Sequence, residues 1–472
     1  MTNINKIIVP SFFTSLLVFL LYGEHSILYN LLGQISSFEK VNLFNVCGEV
    51  FCRGLIYNLF IYIFFNSLEQ QNVIIYSQIF IFFICTFILM DEMKKNGINK
   101  YLILLFLCLL IFNPRFIKYS FNHGDEAIVI PILILYCSFI IKFVRNRRYT
   151  TYIGLYITAI LIFLTKSGTL PVLLITFFLN FLFDFELKKK IISFILSIVF
   201  IFILQKLTFL LIEANNNIKN NYYLHIHLLS ATIANSNIVK ENNDILNQLV
   251  NKKIIRKKMI YEEIEKNNNN KLFFKCVIFP ALNNYVYDDV EIKSFFENKD
   301  NLQSIKKIPI NYIKRFFKEP YNFISHYFNC TYSNFIFVEF VSEENYNKNI
   351  ILYSSQKIND HEKKIINSFL INSNNYFDNI IYYRLLGIFF IGTVFTSFAT
   401  SLYSVKIKKN DKNDIINLIC FFLFITIIFI HVNIVHSQSR WFFTYIPIAM
   451  INFIILINKI LFYFNNHKKI SN

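Results

Sequence analysis

The sequence predicts an all-α polytopic membrane protein with about ten transmembrane helices and a large extracytoplasmic domain, mixed or mainly helical. Three observations carry this expectation. Hydrophobic residues fill 55% of the 472 positions, charged residues only 16%, and Phe alone occurs 56 times. A soluble chain could not cover that much apolar surface with so few charges. The apolar residues fall in blocks of about 15 to 25, which matches the thickness of hydrocarbon rather than an amphipathic stripe. The formal charge of +17 is gathered largely in short Lys/Arg clusters between those blocks, where the positive-inside rule puts them. No separate basic face with interleaved aromatics stands apart from the apolar blocks, which argues against nucleic acid as a partner.

The first block, residues 7–22, follows Lys6 and precedes Gly23-Glu24-His25, a poor site for signal cleavage, so it reads as a retained anchor. Further spans are expected at 73–90, 101–113, 127–142, 152–165, 170–185, 191–212, 380–405, 415–435 and 441–464. The segment 55–68 is apolar but short and ends in Glu69-Gln70-Gln71, which favours a re-entrant or interfacial helix over a full crossing. Basic clusters occur at Lys94-Lys95 with Lys100, from Lys142 to Arg148, at 188–190, from Lys406 to Lys412, and at Lys468-Lys469. Two spans separate each from the next, so all fall on one side, which the rule assigns to the cytoplasm together with both termini. The organisation that follows is an N-terminal transmembrane module, 1–213, with a first external loop at 23–71. An extracytoplasmic domain, 214–378, and a C-terminal transmembrane module, 379–472, complete it. A bacterial plasma membrane is the expected location.

Ionisable residues at the edge of hydrocarbon are costly unless paired or wet, so each raises a functional question. Asp125 and Glu126 close a short external loop that begins at Asn113-Pro114-Arg115. They suit a general base or a metal site, and equally the N-terminal end of a helix dipole. Arg440, beside Trp441, suits either an interfacial anchor or a bidentate grip on a lipid phosphate. Lys166, Lys206 and Arg384 are open to the same two readings, a phosphate ligand or a snorkelling cation. Glu39, Glu49 and Arg53 form a third charged group in the first external loop, which also fits a plain solvated loop. His225 and His227 share one face of an extended segment but have no neighbouring carboxylate, which argues against a metal site there. Cys85, Cys108, Cys137 and Cys420 lie within apolar blocks and behave as small hydrophobes, whereas Cys47, Cys52, Cys276 and Cys330 lie in the external parts.

Taken in order, these features resemble the integral membrane glycosyltransferases of the GT-C fold, which use polyprenyl-phosphate sugars. The resemblance rests on the long loop after the first span, the basic turn Lys94-Lys95-Asn96-Gly97, and Asn113-Pro114 followed by Asp125-Glu126. The turn Leu164-Thr165-Lys166-Ser167-Gly168 and the late Arg440-Trp441 followed by Pro447 complete it. It covers roughly residues 1–213 and 380–464. That family places an Asp in the first external loop as catalytic base. This chain has no Asp before Asp91, so Glu49, Glu39 or the Asp125-Glu126 pair would take that role. The resemblance implies inverting transfer, with Arg440 and Lys166 or Lys206 holding the departing lipid phosphate. It also implies a lipid-linked sugar donor, a glycan, lipid or protein acceptor, membrane lipids as surroundings, and no fixed cofactor, with room for a divalent metal. Two other classes compete: an O-antigen-type polysaccharide polymerase, and a lipid or solute transporter. The transporter reading calls for paired charges or broken helices within the membrane.

Overall fold

A computed structural model of the chain describes residues 5–34, 55–64, 71–111, 126–166, 169–179, 298–325, 380–406, 411–430 and 439–470. It also describes residue 328 and scattered helical positions between 188 and 210. Every regular element among these residues is an α-helix. They are α1 (Asn5–Gln34), α2 (Leu55–Phe64), α3 (Gln71–Lys95), α4 (Lys100–Ile111), α5 (Glu126–Asn146) and α6 (Tyr149–Thr165). After these come α7 (Leu170–Leu179), α8 (Lys299–Lys318), α9 (Ile380–Lys406), α10 (Lys412–Ile430) and α11 (Ser439–Ile470).

Helix is the form in which an apolar block can satisfy its own backbone polar groups in lipid, and it tolerates Pro10, Pro131 and Pro447 inside these helices. Helix α1 packs on α3, α3 on α5, and α5 on α6. Helices α9, α10 and α11 form a mutually packed group, which joins the first through α10 against α5 and α7 and through α11 against α4 and α5. One continuous apolar core runs through both groups, from Val18 and Phe82 through Leu133 and Phe177 to Phe424 and Ile454. Helix α5 is the hub, with fourteen buried residues on all sides.

Four helices among the described residues are long and apolar enough to cross a membrane: Asn72–Lys95, Glu126–Asn146, Lys412–Phe429 and Tyr445–Phe464. By length and composition these four are supported, and the larger expected count of about ten is not. The apolar stretches Asn5–Leu20, Lys100–Ile111 and Tyr149–Thr165 are helical but short, and α2 and α7 have ten residues each. Ten residues rise only about 15 Å, half the hydrocarbon thickness. Helix α2 packs against α6, and its Tyr57 is buried with Ile74, Ala127 and Ile128.

Short polar turns gather at one end of the bundle. Helix α3 stops in a left-handed Gly97 (φ +83°), with Ile98 N–H donating to Met93 O at 3.2 Å and Gly97 N–H to Lys94 O at 3.0 Å. This is the Schellman closure, sealed by contact between buried Met93 and Ile98. Asn96 Nδ2 donates to Asn413 Oδ1 at 2.7 Å, and Asn99 N–H to Asn458 Oδ1 at 3.0 Å. Arg145 pairs with Glu92 at 2.6 Å, and Lys412 Nζ donates to Arg145 O at 3.5 Å. Three of the basic clusters read from the sequence therefore share one end. Since α5 rises about 30 Å from Glu126 to Asn146, Glu126 lies at the other.

Candidate functional site

Two of the residues singled out in the sequence meet at that other end. Lys166 Nζ donates to Glu126 Oε1 at 2.8 Å, with the side chains 5% and 15% exposed. Forty residues separate them along the chain, and local chemistry holds each in place. Glu126 opens α5 in its first turn, where the helix dipole favours an anion. Lys166 caps α6 in an extended conformation, with its N–H donating to Ile162 O. Thr169 donates to Lys166 O from both its backbone N–H (3.0 Å) and its hydroxyl (2.5 Å). Thr165 returns its hydroxyl to Leu161 O at 2.7 Å. Both threonines are fully buried, and the hydrogen bond of Thr169 holds the Lys166 carbonyl.

The surroundings are mostly apolar. Ala127 and Ile128 are buried beside Tyr57 and Ile74, and the buried Tyr445 of α11 interacts electrostatically with Glu126. In this setting removing either partner takes a close counter-charge from the survivor in low dielectric, which is costly.

The other residues named from the sequence stand as follows. Arg440 lies in the first turn of α11, five residues or about 7.5 Å along the axis from Tyr445. Arg384 lies near the start of α9. Helix α9 reaches the opposite, basic end by Ser404, which donates to Asp414 Oδ2 at 2.6 Å. The twenty residues between put Arg384 about 30 Å away, at the end of Glu126. The side chains of Arg384 and Arg440 lie outside the described set, as do Asp125, Glu49, Glu39, Arg53 and the His225-Ile226-His227 segment. Lys206 is exposed, unlike Lys166. Among the described residues no group of three or more His, Cys, Asp or Glu could hold a metal ion.

A second polar feature escaped the sequence reading. Asp414, 1% exposed, pairs with Lys459 of α11, and Lys459 also reaches Ser401 Oγ at 3.4 Å. Asn417 Nδ2 donates to Ser401 Oγ at 3.2 Å, and Ser397 Oγ donates to Asn452 O at 3.3 Å. Asn417 and Asn452 are fully buried, and both side-chain polar atoms of Asn452 lack a protein partner. The spacing of Ser397, Ser401 and Ser404, three or four apart on one helix face, was the available signal.

No family model, no curated protein and no solved structure matches the chain.

Proposed function

We propose that the chain is a membrane glycosyltransferase that moves a sugar from a polyprenyl-phosphate donor to an acceptor at the end of the bundle where Glu126 and Lys166 meet. The observation that supports this reading is their buried ion pair, which sets a carboxylate against an ammonium in an apolar wall. A carboxylate held by an ammonium is a weak base, so the pair must open for chemistry. A donor phosphate supplies the means: it takes Lys166, and Glu126 is freed to accept a proton. The acceptor oxygen then bonds to the anomeric carbon, the bond from that carbon to the phosphate oxygen breaks, and the polyprenyl phosphate leaves with the electron pair. Lys166 and Arg440 stabilise the charge that grows on the departing phosphate. Arg440 has an independent reason to hold an anion. A cation in the first turn of a helix stands against the macrodipole, and a bound phosphate reverses that penalty.

The proposal retains about ten crossings: the apolar stretch Asn5–Leu20 of α1, the short helices α4, α6 and α7, the longer α9 and the block 191–212 complete the set around the four long ones. It also retains cytoplasmic placement of the basic turns and both termini, Asp125 or Glu49 as further candidate bases, and Lys206 and Arg384 as further phosphate ligands. A transporter remains the second reading, favoured by one observation: the buried polar seam from Asp414 and Lys459 to Asn452.

The test is transfer in membrane vesicles carrying the full chain, charged with a panel of radiolabelled polyprenyl-phosphate hexoses. Transfer by the wild type and its loss by about 100-fold or more in Glu126→Gln is the expected outcome. Full transfer by Glu126→Gln removes the catalytic assignment. Uptake of solute with no transfer to any acceptor favours the transporter.

A further inference from the structure

Helix α8 lies outside the functional reading above, and its surface has an unusual distribution. It carries six basic residues against one acidic. Tyr312, Phe316 and Phe323 stack edge to face, and Phe316 meets Phe429 with ring centroids 6.0 Å apart. Phe429 is the last residue of the spanning stretch Lys412–Phe429. The contact therefore holds α8 at the boundary of the membrane, at the end opposite the basic turns. Burial raises the Tyr312 phenol above its ordinary range, in keeping with a dry inner face.

The rest of the helix circumference divides into three arcs. Ile310, Ile313, Phe317, Tyr321 and Ile324 recur every three or four residues and are all exposed, Phe317 at 76% and Tyr321 at 78%. Helix α8 ends at Lys318, where Glu319 N–H donates to Arg315 O at 2.8 Å; a second helical stretch, 320–325, starts from Glu319 O, which accepts from Asn322 N–H at 3.1 Å. At 3.6 residues per turn Ile310, Ile313 and Phe317 fall within about 60° of one another on α8, and Tyr321 and Ile324 are exposed on the stretch that follows it. Lys307, Lys314 and Lys318, also exposed, occupy the adjoining arc. Asn311 and the Arg315–Glu319 ion pair make up a polar arc beyond them.

We propose that α8 lies in the plane of the membrane surface, with Ile310, Ile313 and Phe317 in the acyl boundary and Lys307, Lys314 and Lys318 on anionic lipid headgroups. Continuity selects this occupant, because the inner face is docked on the end of a spanning helix and the stripe beside it is where lipid begins. Charge selects the headgroup: three lysines flank the apolar arc, the pattern of helices that bind anionic interfaces. The lysine stems lie along the apolar arc while their ammonium groups reach the phosphates.

The experiment uses the full chain in nanodiscs of phosphatidylcholine with or without phosphatidylglycerol. Trp441, the single tryptophan, is replaced by Phe, and a reporter is placed by Phe317→Trp or, for the polar arc, Asn311→Trp. Acyl-brominated lipid is expected to quench the reporter at 317 severalfold more than at 311, and more strongly when phosphatidylglycerol is present. Combining Lys307→Gln, Lys314→Gln and Lys318→Gln abolishes that increment. Equal quenching at 317 and 311 overturns the proposal, as does quenching at 317 that ignores phosphatidylglycerol. Protection of 317 from lipid together with cross-linking to a second copy also overturns it, since the stripe would then be a protein contact. Ile313→Trp reads the same stripe should Phe317→Trp fold poorly.

Discussion

At the scale of single residues, the Glu126–Lys166 pair makes the sharpest demand. Both side chains are mostly buried, so Glu126→Gln or Lys166→Met takes the close counter-charge from a buried ion, at a cost of about 3–5 kcal/mol. The double variant Glu126→Gln/Lys166→Met removes both charges and is expected to recover most of that loss. Thermal unfolding of the three proteins in detergent reads the difference, and a double variant no better than the worse single one would sink the pairing argument. Gly97 makes a second demand. Its φ of +83° is left-handed and the space around its Cα is open, so Gly97→Ala costs about 1 kcal/mol through backbone strain alone. Chemical denaturation of the purified protein measures it.

Among helices, α5 and α6 approach closely at Gly154. A Cβ built on Gly154 would stand 2.5 Å from the Phe139 ring, so Gly154→Ala must displace that ring, at a cost of about 1–3 kcal/mol. Adding Phe139→Leu is expected to relieve much of it, and melting temperatures of the single and double variants check this. Most helices were legible in the sequence, because an apolar block in lipid has only one way to satisfy its backbone. The expected span 152–165 lies inside α6, and 127–142 lies inside α5. The ends were less legible. Helix α1 runs on to Gln34 and α11 to Ile470, through polar residues that no hydrocarbon boundary marks. Spanning length was less legible too: α4, expected to cross, has twelve residues, fewer than a straight crossing needs. The faces were hidden altogether. A block apolar on all sides does not say which residues turn inward, so Glu126 and Lys166 could each be suspected but not joined. Asp414 and Lys459 could not be joined either.

For the whole molecule, the distribution of polar turns gives a direction. Glu92, Arg145 and Lys412 lie together at one end, while α8 meets the far end of α10 through Phe429. In a background lacking the eight native cysteines, Lys94→Cys and Lys412→Cys are expected to react with a membrane-impermeant thiol reagent from one side only. Asn311→Cys should react from the other. Labelling of all three from the same side would contradict the arrangement.

The seam between the two helical groups has one more consequence. Helices α10 and α11 bury apolar surface against α4, α5 and α7, and Asn96–Asn413 and Asn99–Asn458 tie the turns across the same boundary. Partners this complementary do not depend on being one polypeptide. Fragments 1–213 and 379–472, expressed as separate pieces in the same cell, should find each other in the bilayer and co-purify. Cutting either asparagine tie should loosen the reassembled pair before it harms the intact chain.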